Sequence, residues 1–97
     1  MNAITARDAT QDGAEAPSGL DLLAVGREAI VVSLMTSRDE SAVLRSMGLE
    51  EGQPIRVLRR APGGDPLHVR LGGGGEFAVA LPVARSIRVR SLKGADL

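Results

Sequence analysis

The chain has 97 residues, twelve basic and twelve acidic side chains, no cysteine, and a single Phe, Tyr or Trp, which is Phe77. That length allows one domain. The missing cysteine excludes disulfides and thiolate metal sites, and the balanced charge is no footprint of a nucleic-acid binder. No apolar run approaches the ~18–20 residues of a membrane span, and the N-terminus lacks the basic start and apolar stretch of a signal peptide. A soluble, cytoplasmic protein that is not membrane-inserted is expected.

Residues 1–18, MNAITARDATQDGAEAPS, hold few large apolar side chains and no lasting period. They are expected to form a disordered tail, because such a segment buries too little apolar surface to offset its ordering entropy. The folded domain is expected over 19–92, with a short C-terminal tail at 93–97. Once the N-terminal tail is set aside, the rest carries a small positive excess, and eleven of the twelve basic residues are Arg.

From Leu20, LDLLAVG reads as a turn or a single helical turn closing at Gly26. REAIVVSLM (27–35) is rich in β-branched residues and predicts a strand, with Ile30, Val32 and Leu34 on one face. Ala29 and Val31 make its other face apolar too. In TSRDESAVLRSMGLEEG, Ser37 followed three residues later by Glu40 has capping-box form. Val43, Leu44 and Met47 recur at helical spacing, and Gly48 stands where a left-handed residue ends a helix. A helix over about 38–47 follows, with Leu49 folding back over its last turn.

The remainder reads as strands. PIRVLRRA (54–61) alternates with Ile55 and Val57 inward, and LHVRL (67–71) puts Leu67, Val69 and Leu71 on one face. GGGG (72–75) is a loose turn, and EFAVAL (76–81) groups Phe77, Val79 and Leu81. PVAR is a short connector, of the length of one 3₁₀ turn, before SIRVRS (86–91) with Ile87 and Val89 inward. Short strands in quick succession predict a small barrel, since closure removes exposed sheet edges.

RRAPGGDP (59–66) joins two of these strands. Pro62, two glycines able to adopt positive φ, and Asp65 for a local backbone bond suffice for a hairpin loop. A phosphate cradle would need a helix N-terminus and Lys-Ser or Lys-Thr after the glycines; a strand follows instead.

The chemistry-bearing residues are sparse. His68, the only histidine, lies on the polar side of its strand, so a metal site there would enlist Asp65 and Glu76. The plain alternative is a solvated strand residue, because a transition-metal site needs about three or four converging ligands. No nucleophile–base pairing is legible, and the acids at the helix ends are ordinary capping and dipole chemistry, so no enzyme is expected. Arg56, Arg59, Arg60, Arg70, Arg88 and Arg90 fall on the β segments, mostly outward. If clustered they would offer a basic face to an acidic protein patch. RNA is disfavoured because Phe77, assigned to the core, leaves no stacking platform. Leu58 and the helix tip Met47–Leu49 complete the core or stay exposed as an apolar anchor.

MGLEEG (47–52), RVLRRAPGGDPLHV (56–69) and FAVALPVARSIRV (77–89), in this order, resemble the FeoA family of bacterial ferrous iron uptake proteins. The family pattern is matched by Met47, Gly48, Leu49, Gly52, Ala61, Pro62, Gly64, Asp65, Pro66, Ala84, Ile87 and Val89. The opening LDLLAVGREAIVVSL also looks like the family's, so the likeness runs from about Leu20 to Arg90. Departures are Val43 where relatives often carry a basic residue, Val79-Ala80 where they often have Leu-Arg, and the looser four-glycine turn.

The resemblance implies a mainly β fold, an SH3-like β-barrel with one inserted α-helix. It implies a non-catalytic accessory protein that binds the cytoplasmic, GTP-binding part of the FeoB permease, or its membrane part, and needs no cofactor. The expected contact region is Arg59, Arg60, Pro62, Asp65 and Pro66 together with Met47 and Leu49. The runner-up functions are a metal-binding or metal-sensing module using His68 and Asp65, and a small nucleic-acid-binding barrel. Weak homo-oligomerisation is compatible with this size and composition.

Overall fold

The structure is a computed structural model and describes residues 16–92. The expected tails, 1–18 and 93–97, therefore lie outside the described residues except for positions 16–18. Of these, Ser18 is already part of the fold. The two-residue β1 (Ser18–Gly19) is joined by β-branched or alternating segments that form β2 (Glu28–Leu34), β3 (Pro54–Arg60), β4 (Leu67–Leu71), β5 (Glu76–Val79) and β6 (Ile87–Ser91). They make one antiparallel sheet in the order β1-β6-β2-β3-β4-β5. The sheet encloses one core, and a short helix between β5 and β6 packs on the Leu20–Leu22 3₁₀ turn, on β1 and on β6. The pairing of β1 with β6 was not legible, because two residues carry no periodicity.

Alternation places Ile55 and Val57 of β3, Leu67, Val69 and Leu71 of β4, and Ile87 and Val89 of β6 in the core, as the sequence predicts. β2 differs from expectation. Its register against β6 shifts between Val31 and Ser33, leaving Val32 as the extra residue of a bulge. Ala29 and Val31 are buried, and beyond the bulge Leu34, opposite Ile87, packs on the same core. Ile30, Val32 and Leu34 therefore do not share a face.

Helix α1 (Arg38–Ser46) begins where Ser37 Oγ accepts a hydrogen bond from Glu40 N at 3.1 Å. It ends in a Schellman motif: Gly48 N donates to Arg45 O at 2.9 Å and Leu49 N to Leu44 O at 3.0 Å, with Gly48 at φ 97°. The left-handed conformation is what requires glycine here. The expected stripe Val43–Leu44–Met47 is only partly buried. Val43 is 58 % exposed, and the inward position is taken by Ser41, whose hydroxyl shares a hydrogen bond with Thr36 Oγ1.

The connector after β5 is a second helix, α2 (Leu81–Ser86), longer than the single 3₁₀ turn expected. Pro82 sits in its first turn, where a missing N–H costs nothing. Phe77 and Leu81, expected in the core, are partly buried and pack against it.

Candidate functional site

The two regions singled out from sequence lie at opposite ends of β4. The loop after β3 leads into Leu67, whereas the helix tip meets the far end: a Cβ on Gly48 would stand 3.6 Å from Leu71 Cδ1. Five residues of strand separate them by roughly 13 Å at about 3.3 Å per residue. Leu49 is 1 % exposed and belongs to the core, which corrects its assignment to the contact region. Met47 is half-buried at the helix C-cap.

The loop itself is tightly tied. Ala61 N donates to Pro66 O at 3.0 Å, Gly64 N donates to Ala61 O at 2.7 Å, and the Asp65–Pro66 bond is cis. Gly63 and Gly64 take φ 84° and 86°, the positive values expected of this turn. Asp65, expected to bond locally, reaches instead to another element. Its Oδ1 accepts from Leu81 N at 2.9 Å and so caps α2, whose own N-cap residue, Ala80, offers no side-chain acceptor.

β3 carries a second bulge. Its pairing with β4 shifts between Val57 and Arg59, leaving Leu58 extra and half-buried. The shift separates two adjacent arginines. Arg59 lies opposite His68 on the outer face, while Arg60 lies opposite Leu67 and takes the inward phase at the barrel's end. There its Nη2 donates to Asp21 O at 2.8 Å and Leu23 O at 2.7 Å, fastening the 3₁₀ turn. Sequence reasoning placed both among the contact residues and mostly outward, because a bulge depends on the partner strand and leaves no mark on local alternation.

Most other strand arginines also tie elements together. Arg56 reaches Glu28 at 3.6 Å and Gly26 O at 3.3 Å, and Arg88 donates to Pro17 O at 3.1 Å. Arg70 donates to Glu76 at 3.0 Å, and that hydrogen bond holds the Glu76 carboxyl below its ordinary range, with His68 Nε2 adding to it at 3.5 Å. The suggested basic face is thus largely consumed in internal contacts. Arg59 is exposed, and its side chain makes no hydrogen bond or ion pair among the described residues.

A groove of about 240 Å³ opens on this outer surface. Arg59, Arg60, Pro62 and Pro66, all named from sequence, line it together with Ala61, His68 and Ala78. His68 and Ala78 enter because cross-strand register sets Arg59, His68 and Ala78 in one row across β3, β4 and β5. From sequence His68 reads as a solvated strand residue or a weak metal ligand, and Ala78 carries no signal at all. Among the described residues no group of three or more His, Asp or Glu side chains, His68 and Asp65 included, is placed to hold a metal ion.

The sequence model of the FeoA domain matches residues 19–91. The chain belongs to the FeoA family. Solved FeoA structures agree with this. The Chlorobium tepidum protein is 33 % identical over 78 % of this chain and 71 % of its own, with a TM-score of 0.73. A crystal structure of a FeoA described as an iron uptake regulatory protein is 31 % identical over 79 % of this chain and 99 % of its own, with a TM-score of 0.69. FeoA of Stenotrophomonas maltophilia was solved with zinc and is described as a prokaryotic SH3 domain protein and a candidate activating factor of ferrous iron transport. It is 28 % identical over 79 % of this chain and 91 % of its own, with a TM-score of 0.61. No curated protein sequence matches the chain.

The FeoA barrel described above is thus an SH3-like domain, and the family is one of small accessory domains associated with ferrous iron transport. Among the described residues no helix is long and apolar enough to cross a membrane.

Proposed function

We propose that this FeoA protein is a non-catalytic accessory factor of ferrous iron uptake that docks on the cytoplasmic GTP-binding domain of the FeoB permease through the Arg59–Pro66 loop and its flanking strands. The observation that carries the reading is Arg59: a cation exposed, without a partner among the described residues, and set at a groove lined by Pro62, Pro66 and Ala78. The loop is braced by its own hydrogen bonds and by the Asp65–Leu81 tie, so it presents these groups with little ordering left to be lost on binding. Met47, at the other end of β4, is at most a peripheral contact.

A docked module changes its partner's activity only if it binds one state better than another. The test is a biosensor titration of this protein against the soluble permease GTP-binding domain, run without nucleotide, with GDP, and with a non-hydrolysable GTP analogue. Binding that differs among the three and is weakened at least ten-fold by Arg59→Ala is expected. Absent binding, or binding unaffected by that substitution, contradicts the reading.

A further inference from the structure

The surroundings of Arg59 restrict what it can meet. The acids of the adjoining strand and loop are already engaged, since Glu76 accepts from Arg70 and contacts His68, and Asp65 accepts from Leu81 N. No described carboxylate neutralises Arg59, so the groove has an unsatisfied preference for an anion. A bidentate carboxylate is the group its planar guanidinium fits best.

Besides Arg59, Arg60 and His68, the lining is apolar, and the groove is small. Pro62, Pro66 and Ala78 contribute no charge, and about 240 Å³ is below the ~300–1,000 Å³ typical of small-molecule sites. It has room for one aliphatic side chain. Leu22, 73 % exposed, lies in the turn whose Asp21 and Leu23 carbonyls Arg60 holds. A nucleic acid would ask for several free cations and exposed aromatic rings, and Phe77 packs against the core.

We infer that this groove recognises an acidic linear segment of a protein partner, with a Glu or Asp side chain on Arg59 and an aliphatic side chain two residues away against Pro62, Pro66 and Ala78. In an extended chain, residues i and i+2 lie on one side about 6.8 Å apart, a span suited to a cation at one end of a groove and an apolar floor beside it. The inference rests on the proposed reading that this face is the docking surface, and it names the chemistry of the segment that docks.

The test uses two peptides capped as acetyl and amide, so that no terminal carboxylate competes: Ser-Gly-Glu-Ala-Val-Gly-Ser and the same peptide with Gln for Glu. Each is titrated into the ¹⁵N-labelled full chain while amide and guanidinium shifts are followed. The Glu peptide is expected to shift Arg59, His68 and Ala78, to bind at least five-fold more tightly than the Gln peptide, and to fall to the Gln level with Arg59→Ala. Equal affinities, shifts confined elsewhere, or no shifts with either peptide would overturn the inference. Repeating the permease-domain titration separates the two claims. Domain binding without a Glu–Gln difference sinks this inference and leaves the docking reading. A Glu-dependent peptide response without domain binding does the reverse.

Discussion

At the Leu71 end of β4 the helix tip Met47–Gly48–Leu49 is folded into the domain, with Leu49 sealed in the core and both terminal amides bonded back to α1. At the Leu67 end the loop Ala61–Pro66 stands outside the core and leaves a cation and apolar side chains facing solvent. Both stretches mix glycine with apolar residues and lie beside charges, so composition does not distinguish them. What separates them is whether their bonding capacity is already used. The same distinction divides Arg59 from Arg60: one bulge at Leu58 turns the second inward to two backbone carbonyls and leaves the first without a partner.

The comparison breaks most readily at Leu49. Leu49→Ala should destabilise the fold by about 2–5 kcal/mol, the usual cost of a buried Leu truncation, without altering the contact surface of the molecules that remain folded. Urea denaturation and the permease-domain titration together check this. Arg60→Ala comes next, at about 1.5–3 kcal/mol for charge-assisted hydrogen bonds to backbone. Arg59→Ala, by contrast, should change stability by less than about 0.5 kcal/mol. Equal urea midpoints for the two arginine variants would erase the division drawn between them.

Asp65→Ala removes the acceptor for Leu81 N and should cost about 1 kcal/mol, in the range of a lost helix cap. Hydrogen exchange at Leu81, faster in the variant than in the parent, reports it locally. The smallest effect concerns pH. Arg70 holds the Glu76 carboxyl below its ordinary range. The contribution of this exposed pair is therefore present above the unfolded carboxylate pKa, about 4.3, and is lost as pH falls through the lower folded value. Arg70→Ala should move the Glu76 titration, followed by carboxyl NMR, upward towards the ordinary value.

Much of the fold was legible because it rests on local chemistry. Leu67–Leu71 appears with the bounds its alternation predicts, and the start of α1 follows from Ser37 and Glu40. The misreadings share a cause. Val32 and Leu58 are bulge residues, and a bulge exists only relative to a partner strand. Asp65 looked like a turn residue because its real acceptor role is to Leu81, sixteen positions away. The loop half of the candidate site was readable from Arg59, Pro62 and Pro66. His68 and Ala78 joined it only through cross-strand register, and α2 could have been inferred from Pro82 as an early-turn residue.

The most direct test of the central claim is an amide-shift map of the ¹⁵N-labelled chain on adding the unlabelled GTP-binding domain of its permease. The account predicts perturbations concentrated at residues 59–66, His68 and Ala78, with 44–49 unmoved. Perturbations centred on the helix tip instead, or none at saturating partner, would contradict it.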